Sequence, residues 1–366
     1  TPPSGRSRRA GARPSVSGEA TRDGGSTVKA VVMAEDGGLE VTELPDPDPD
    51  GWAVVEVRAA GVCGSELHFL DGMVPPPHER FVLGHEIAGV VVSAPDGAAV
   101  APGDRVAVYN FVGCGTCRWC RTGHESICAA PRAQLGWTAD GGYAELCRAP
   151  AENLLPLADG VSFATAAVLA CSGMTAVHAT RIAGIHLGQT AVVNGVGGVG
   201  LMVLQVLAAA GVRAIAVADA DDKAQLALES GAGDVIVLPG GEGYETLPDR
   251  VRALTGGEGA DHFFELVGTT ATMAAGVRSL GRRGTCVLIG YTAEELQIHP
   301  IDLILTEARI VSSVAASRHD LELALALAAA GRLSVTVDTA YPLEDAETAL
   351  ARLRAREVRG RNVLVP

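Results

Sequence analysis

The pattern of apolar and polar positions divides the chain into two parts. From Val28 to about residue 150, short Val-rich runs such as 52–62 and 86–94 are bounded by Gly, Pro and Asp, which is typical of β-strands. From about residue 163, apolar segments with helical spacing alternate with short apolar runs. Alternating strands and helices predict a parallel sheet that is covered by helices.

The second part continues this alternation to about residue 315. Its predicted strands and helices are residues 190–195, 201–211, 214–219, 223–231, 234–238, 261–268 and 285–290. The sequence then predicts a helix at 321–331, a strand, a helix near 344–356 and a last strand. The prediction is an α/β protein in which an α/β domain (173–315) is inserted into a β-rich domain (28–172 and 316–366).

The first 27 residues differ from the rest in composition. Residues 1–27 hold Gly, Ser, Pro and Arg and almost no large apolar residue, which predicts a disordered leader. The Arg8-Arg9 pair suggests a twin-arginine export signal, but no apolar stretch follows it. An organelle transit peptide remains an alternative, although the segment lacks an amphipathic face. We expect a cytoplasmic protein.

Charge and cysteine content narrow the classes of partner. The 366 residues carry 29 basic and 43 acidic side chains, a net charge of −14. This acidity argues against nucleic acid or an anionic membrane as the main partner. We expect no membrane span, because no apolar run reaches the length of about 18 uncharged residues that a spanning helix needs. Eight cysteines are too few for a disulfide scaffold in a chain of this length.

A glycine-rich loop predicts a dinucleotide site. Residues 195–200 fit the pattern G-x-G-x-x-G between a predicted strand and a predicted helix. The first glycine allows a tight turn, the second a close approach of the backbone to a pyrophosphate, and the third close helix–strand packing. The candidate cofactor contacts are Gly195, Gly197, Gly198, Val199 and Gly200. A glycine-rich turn without a ligand is the alternative.

An acidic strand end about 20 residues later supports the same prediction. Asp219 is the candidate for the adenosine ribose hydroxyls, and Asp221 and Asp222 follow it. These charges would repel the 2′-phosphate of NADP, so NAD is favoured over NADP. A solvated acidic turn is the alternative interpretation.

Four cysteines form the strongest local motif of the chain. Within residues 113–128, Cys114, Cys117, Cys120 and Cys128 include two C-x-x-C steps. Four thiolates surround one tetrahedral Zn²⁺ and leave no open position, which predicts a structural zinc site. An iron–sulfur cluster also uses four thiolates, and two disulfides are a third interpretation.

A second set of metal-ligand residues is dispersed along the chain. Cys63 follows a predicted strand, His85 precedes another, and Cys171 lies in an apolar stretch near residue 173. A catalytic zinc needs three protein ligands and one exchangeable position, and these three residues could supply the ligands. Taken singly, Cys171 in an apolar stretch is more often a core thiol, and His85 could be a hydrogen-bonded histidine in a turn.

Six motifs in this order resemble the zinc-dependent medium-chain alcohol dehydrogenases. They are GVCGSELH, GHEIAG, the four-cysteine lobe, ACSGMT, GVGGVG and RNVLV, and the resemblance covers residues 28–366. It implies a GroES-like β domain that carries both zinc sites, an inserted Rossmann domain, and an active site between them. The implied reaction is NAD(P)-linked interconversion of an alcohol and a carbonyl compound.

The resemblance also implies roles for residues near the dispersed set. Cys63, His85 and Cys171 resemble the catalytic zinc ligands. Glu86 matches a glutamate that can approach the metal, and Glu66 stands where the family has an acidic residue that orients the ligand histidine.

Further roles concern the proton and the cofactor. Ser65 resembles the hydroxyl that accepts the substrate proton, and His68 the histidine at the solvent end of the relay. Histidine suits that position because its ordinary pKa is about 6.5. Thr175 and Val199 resemble residues that pack against the nicotinamide, and Arg361 resembles a pyrophosphate contact.

Two departures from the family pattern concern specificity. By family spacing the ribose-binding acid falls on Ala218, one residue before Asp219. Asn110 lies where several relatives have a large apolar residue. A polar amide near the zinc suggests a substrate with an additional polar group; an amide that caps a turn is the alternative.

The sequence leaves other functions open. The same fold could serve an NAD(P)H-dependent reductase of an imine or an activated alkene. Ser65 and His68 favour the alcohol–carbonyl couple, because such reductases often lose the relay hydroxyl. A non-catalytic binding protein and a zinc-ribbon nucleic-acid module are further hypotheses. We expect a homodimer or homotetramer, with the interface formed by strands at 285–290 and 309–315.

Overall fold

A computed structural model describes residues 26–34 and 37–366. Residues 1–25, which make up nearly all of the predicted leader, lie outside the described residues, as do residues 35–36.

The secondary structure follows the two-part pattern of the sequence. The strands are β1 (Thr27–Met33), β2 (Leu39–Pro45), β3 (Ala53–Gly61), β4 (Glu86–Ser93), β5 (Arg105–Val108), β6 (Phe111–Val112), β7 (Ala133–Gln134), β8 (Leu146–Ala149), β9 (Leu154–Pro156), β10 (Thr190–Asn194), β11 (Arg213–Ala218), β12 (Asp234–Val237), β13 (Ala260–Glu265), β14 (Leu280–Leu288), β15 (Arg309–Ser312), β16 (Val337–Tyr341) and β17 (Arg361–Leu364). The helices are α1 (Gly64–Leu70), α2 (Arg118–Arg121), α3 (Phe163–Val168), α4 (Met174–Ala183), α5 (Gly198–Ala209), α6 (Asp221–Glu229), α7 (Leu247–Leu254), α8 (Thr270–Arg278), α9 (Ile301–Ile304), α10 (Arg318–Ala329) and α11 (Ala346–Arg354).

Two large sheets contain most of these strands, and β1-β2 and β6-β7 form two small antiparallel sheets. A six-stranded sheet has the order β12-β11-β10-β13-β14-β15, and all its pairs are parallel. A seven-stranded sheet has the order β16-β17-β3-β4-β5-β9, with β8 also paired to β3. The α/β class and the parallel sheet predicted from the sequence are confirmed.

The order of the parallel strands determines where a ligand can bind. The chain runs from β10 outward through β11 to β12 and then returns to place β13 on the other side of β10. The loops that leave β10 and β13 therefore diverge, which opens a crevice at the carboxyl ends of these strands. The glycine loop directly follows β10 and lies at this crevice.

The last part of the chain packs on the helices of the second part and extends the seven-stranded sheet. Helix α10 packs against α4 and against the π-helical turn Leu169–Gly173, which joins α3 to α4. Strands β16 and β17 extend the seven-stranded sheet next to β3.

The expectation that no apolar run reaches the length of a membrane-spanning helix is wrong. The helical stretch Phe163–Ala183 has 21 residues and a hydropathy of 1.3, enough by length and composition to cross a membrane. However, 78% of its apolar window is buried inside the protein. Its apolar character is that of a core helix, because Ala166, Leu169 and Ala179 are fully buried in the largest apolar cluster.

Candidate metal centres and nucleotide cleft

The four-cysteine lobe brings its sulfur atoms to the spacing of a tetrahedral site. The Sγ atoms of Cys117 and Cys120 lie 3.6 Å apart, those of Cys117 and Cys128 lie 3.8 Å apart, and those of Cys114 and Cys120 lie 4.0 Å apart. Zn–S bonds of about 2.3 Å in a tetrahedron place neighbouring sulfurs about 3.8 Å apart. The residues present therefore fit a zinc ion held by four thiolates.

Local backbone structure produces this arrangement. Cys117 is the N-cap of α2, and its sulfur accepts a hydrogen bond from the backbone N–H of Cys120. A hydrogen bond from the Thr116 hydroxyl lowers the pKa of Cys114 to about 5, which favours the thiolate that a metal requires. All eight cysteines are free thiols, so the interpretation of the lobe as two disulfides is wrong.

The dispersed set also converges. Cys63 is the N-cap of α1, His85 immediately precedes β4, and Cys171 lies on the π-helical turn. One ligand atom from each, together with a carboxylate oxygen of Glu86, lies within 4.8 Å of all the others. His85 Nε2 is 3.3 Å from Cys171 Sγ. A tetrahedral ion bound by nitrogen and sulfur requires about this separation.

Glu66 holds this cluster in place. Its Oε1 lies 2.6 Å from His85 Nδ1, and its Oε2 accepts a hydrogen bond of 3.0 Å from the backbone N–H of Cys63. Burial lowers the pKa of His85, but the Glu66 carboxylate outweighs it, so that this pKa lies well above its ordinary value. The bond to Nδ1 leaves Nε2 directed at the sulfur atoms, as in carboxylate–histidine–zinc arrangements.

Glu86 and Arg361 connect the metal cluster to the nucleotide cleft. The Arg361 guanidinium forms a buried ion pair with Glu86 and donates to the Val62 carbonyl. Burial raises the pKa of Glu86 to about 8, although Arg361 opposes this effect. A Cβ built at Gly198 would lie 2.6 Å from Arg361 Nε, and this buried nitrogen has no hydrogen-bond partner among the described residues.

The nucleotide cleft is a cavity of about 500 Å³ at the carboxyl ends of β10, β11 and β13. It is lined by the glycine loop from Gly195 to Gly198, by Asp219 and by Arg361. Gly195 has φ +105°, and a Cβ at Gly200 would collide with the Gly195 carbonyl, so both positions require glycine. The first backbone N–H groups of a helix have no partner within the helix, so those at the N-terminus of α5 can bind a pyrophosphate together with the unpartnered Nε of Arg361.

Asp219 has cationic neighbours that the sequence prediction missed. Lys223 Nζ lies 2.9 Å from the Asp219 carboxylate, and an Arg356 nitrogen lies 3.7 Å from it. All three side chains line the nucleotide cleft. The spacing of four residues between Asp219, just before α6, and Lys223, in its first turn, was a sequence signal for the first pair. No sequence signal identified Arg356, which follows the distant helix α11.

A buried network below the glycine loop was also missed. The carboxylate of Glu265, at the end of β13, accepts hydrogen bonds from Asn194 Nδ2 (2.9 Å) and from the backbone N–H of Gly268 (2.7 Å). The Tyr244 hydroxyl donates to Asn194 Oδ1 at 3.0 Å. The network joins β10 to β13 and fixes the wall of the cleft that contains Val267.

Four other predicted residues are placed as follows. Ser65 Oγ lies 3.6 Å from Cys63 Sγ, so its hydroxyl is next to the metal cluster. The His68 ring contacts the ring of Tyr291, which follows β14 of the six-stranded sheet.

Thr175 is buried on α4, one turn after Cys171, and Val199 is half-buried on α5. The structure does not bring Thr175 or Val199 into the lining of the nucleotide cavity.

Comparisons with known proteins define the class of this fold and site. The family profile described as the alcohol dehydrogenase GroES-like domain matches residues 49–159, and that of the zinc-binding dehydrogenases matches residues 198–330. The crystal structure of the alcohol dehydrogenase from Aeropyrum pernix matches with a TM-score of 0.84 and 29% identity, covering 93% of this chain and all of that one.

Full-length relatives specify the family. The alcohol dehydrogenase of Geobacillus stearothermophilus is 32% identical over 89% of this chain and 96% of its own length. The NAD-dependent alcohol dehydrogenase of Sulfurisphaera tokodaii is 32% identical over 90% and 96%. The acryloyl-coenzyme A reductase of Metallosphaera sedula is 29% identical over 92% and 99%. The chain belongs to the zinc-dependent medium-chain alcohol dehydrogenase family and is an oxidoreductase; the resemblance inferred from its motifs is confirmed.

Proposed function

We propose that this enzyme interconverts a polar or secondary alcohol and its ketone or aldehyde by hydride exchange with NAD(H), and that it binds one catalytic and one structural zinc. The observation that carries the proposal is the convergence of Cys63, His85 and Cys171 within 4.8 Å. This cluster is linked to the nucleotide cleft through Arg361, which contacts Glu86 on one side and Gly198 on the other.

Each group near the cluster has a task in this reaction. When bound, zinc supplies Lewis acidity toward the substrate oxygen and the nicotinamide supplies or accepts the hydride. Glu66 holds His85 with Nε2 free for the metal. The Ser65 hydroxyl accepts the substrate proton, and His68 receives it at the solvent end of the relay. Arg361 Nε would donate to a phosphate oxygen of the bound cofactor, and this buried nitrogen has no other partner among the described residues.

We infer NAD as the preferred cofactor. Asp219 lies in the cleft directly after β11, where its carboxylate would accept hydrogen bonds from the adenosine ribose hydroxyls. Lys223 and Arg356 offset part of its charge, so we expect discrimination against NADP to be moderate.

Assembly and location complete the proposal. Strand β15 is the edge of the parallel sheet, and the neighbouring helix α9 exposes Ile301 and Ile304. An unpaired edge next to exposed apolar side chains supports a homodimer or homotetramer formed through this edge. Eight free thiols support a reducing, cytoplasmic location.

A panel of primary, secondary and polyhydroxylated alcohols tests the reaction. The zinc-loaded protein should reduce NAD with at least one secondary or polar alcohol, followed by the absorbance of the reduced nicotinamide, and should contain two zinc ions per chain. NADP should support a lower kcat/KM. Absence of turnover with every alcohol and carbonyl compound, in both directions, would refute the proposal.

A second candidate is the reduction of an activated alkene. The relative named acryloyl-coenzyme A reductase, matched over nearly its whole length, favours it. Ser65 beside the metal cluster favours the alcohol reaction, because an alkene needs no proton relay from a hydroxyl substrate. Oxidation of NADH by an enoyl thioester, with no activity on alcohols, would select the alkene reaction.

A further inference from the structure

The Asn110 side chain is buried without a structural task. The residue is 1% exposed, and its side-chain carbonyl oxygen has no hydrogen-bond partner within residues 26–34 and 37–366. A buried polar atom without a partner destabilises the folded protein. Such an atom persists in a folded protein when a ligand supplies the missing partner.

A different amide holds the turn that contains Asn110. Asn153 Nδ2 donates to the carbonyls of Tyr109 (2.7 Å) and Phe111 (2.9 Å), on either side of Asn110. The backbone carbonyl of Asn110 itself accepts from the N–H of Leu135 at 2.9 Å. The turn is therefore capped without the Asn110 side chain, which excludes turn-capping as the reason for this amide.

Asn110 lies next to the metal cluster. Strands β4 and β5 are antiparallel with Ile87 opposite Val108, so the segment that precedes β4 and the segment that follows β5, which hold His85 and Asn110, leave the sheet at the same end. The segment after Leu135 confirms the proximity, because a Cβ at Gly136 would lie 2.8 Å from the backbone nitrogen of His85.

We propose that Asn110 accepts a hydrogen bond from a second hydroxyl group of the substrate, close to the carbon that is oxidised. The preferred substrates are then vicinal diols and the corresponding α-hydroxy carbonyl compounds. A hydroxyl both donates and accepts, so it satisfies either end of the amide. An ammonium group is disfavoured there, because a divalent cation bound to His85 would repel it. This inference rests on the proposed alcohol dehydrogenase function.

The test compares two substrates in two variants. We expect the zinc-loaded enzyme to prefer butane-2,3-diol over butan-2-ol in kcat/KM, and the variant Asn110→Leu to lose about ten-fold of this preference. Leucine has the same branched shape as asparagine but no polar atoms, and butan-2-ol serves as the reference substrate within each variant. Thermal unfolding of Asn110→Leu should be unchanged or higher, because an unsatisfied buried oxygen is removed. An unchanged diol preference in Asn110→Leu would overturn the inference.

Asn153→Leu is the matched control. It removes the amide that caps the same turn, so it should lower the unfolding temperature, and any soluble fraction should keep the diol preference. A loss of diol preference in Asn153→Leu equal to that in Asn110→Leu would assign the effect to the turn and overturn the inference.

Binding separates this inference from the proposed function. Calorimetric titration of the zinc-loaded protein with butane-2,3-diol in the presence of NADH involves no oxidation of the alcohol. Weaker diol binding by Asn110→Leu, in a protein that oxidises no alcohol, would support the hydroxyl site and refute only the reaction. Equal diol binding by both proteins, or none by either, would overturn the site.

Discussion

The rings of His68 and Tyr291 contact each other, with centroids 5.2 Å apart and planes inclined by 31°. His68 belongs to α1, beside the metal cluster, and Tyr291 follows β14 of the parallel sheet. The Tyr291 backbone packs tightly on Gly268, where a Cβ would lie only 2.5 Å from its Cα. The position of the proposed proton acceptor therefore depends on a loop of the other sheet.

Removing the tyrosine ring should impair the proton relay. Aromatic pairs of this kind contribute about 0.5–1.5 kcal/mol, so we expect Tyr291→Ala to lower kcat roughly two- to ten-fold. Tyr291→Phe keeps the ring and should retain activity. The measurement is kcat against pH for each variant.

A double-mutant cycle assigns this effect to His68. In a His68→Gln background, Tyr291→Ala should change kcat little further, because the ring no longer supports a relay. Independent, multiplicative losses in the two variants would show that Tyr291 acts elsewhere.

Cys63→Ala should abolish turnover and remove one of two zinc ions. The thiolate of Cys63 is one of three proposed ligands, and the four sulfurs of the lobe form a separate cluster. The measurements are zinc content per chain and NADH formation. Cys147→Ala is the control: this buried cysteine belongs to neither cluster and should leave both values unchanged. Full activity in Cys63→Ala would contradict the assignment of the catalytic zinc.

Cys117→Ser should weaken the fold rather than the chemistry. Cys117 caps α2 and lies 3.6 and 3.8 Å from two other sulfurs of the lobe. Because metal binding energy is part of the folding energy, loss of a thiolate should lower the unfolding temperature and release the lobe zinc. Catalytic zinc should remain in the folded fraction. Unchanged thermal unfolding in zinc-depleted Cys117→Ser would contradict a structural metal.

Cofactor preference should respond to Asp219 and Arg356 in opposite directions. Removing the carboxylate in Asp219→Ser leaves Lys223 and Arg356 free to bind a 2′-phosphate, so the NADP/NAD ratio of kcat/KM should rise at least about ten-fold. Arg356→Ala should lower this ratio. Asp222→Ser, on the exposed side of α6, is the control. A ratio that is the same in all variants would place the adenosine ribose elsewhere.

Asp320 should make stability dependent on acidity. Burial would raise the pKa of Asp320, but hydrogen bonds from His178, Arg181 and Ser317 lower it well below its usual range. A carboxylate whose folded-state pKa is depressed stabilises the protein above the unfolded value of about 3.9 and loses this contribution as the pH falls further. Asp320→Asn should therefore lower the unfolding temperature near neutral pH by several degrees. The difference in unfolding temperature between Asp320→Asn and the unsubstituted protein should become smaller below about pH 4. A difference that stays the same at every pH would contradict the ionic contribution of Asp320.

Local features of the sequence determined most of the fold and one of the two metal sites. Apolar periodicity distinguishes strands from helices because backbone geometry alone sets the two repeats. The glycine loop and the lobe from Cys114 to Cys128 are each contained in one short segment. Their chemistry could be predicted because neighbouring residues in the chain stay close in space whatever the rest of the molecule does.

Only the tertiary structure decided which distant side chains meet. The order of strands brings Asn194 beside Glu265, and the tertiary fold brings Glu66 on α1 to His85, which directly precedes β4. No periodicity in the sequence encodes such contacts, because they depend on strand order and on how the two sheets face each other. Three further features were known only from the tertiary structure: the contact of Tyr291 with His68, the approach of Arg356 to Asp219 and the lack of a partner for the Asn110 side-chain oxygen.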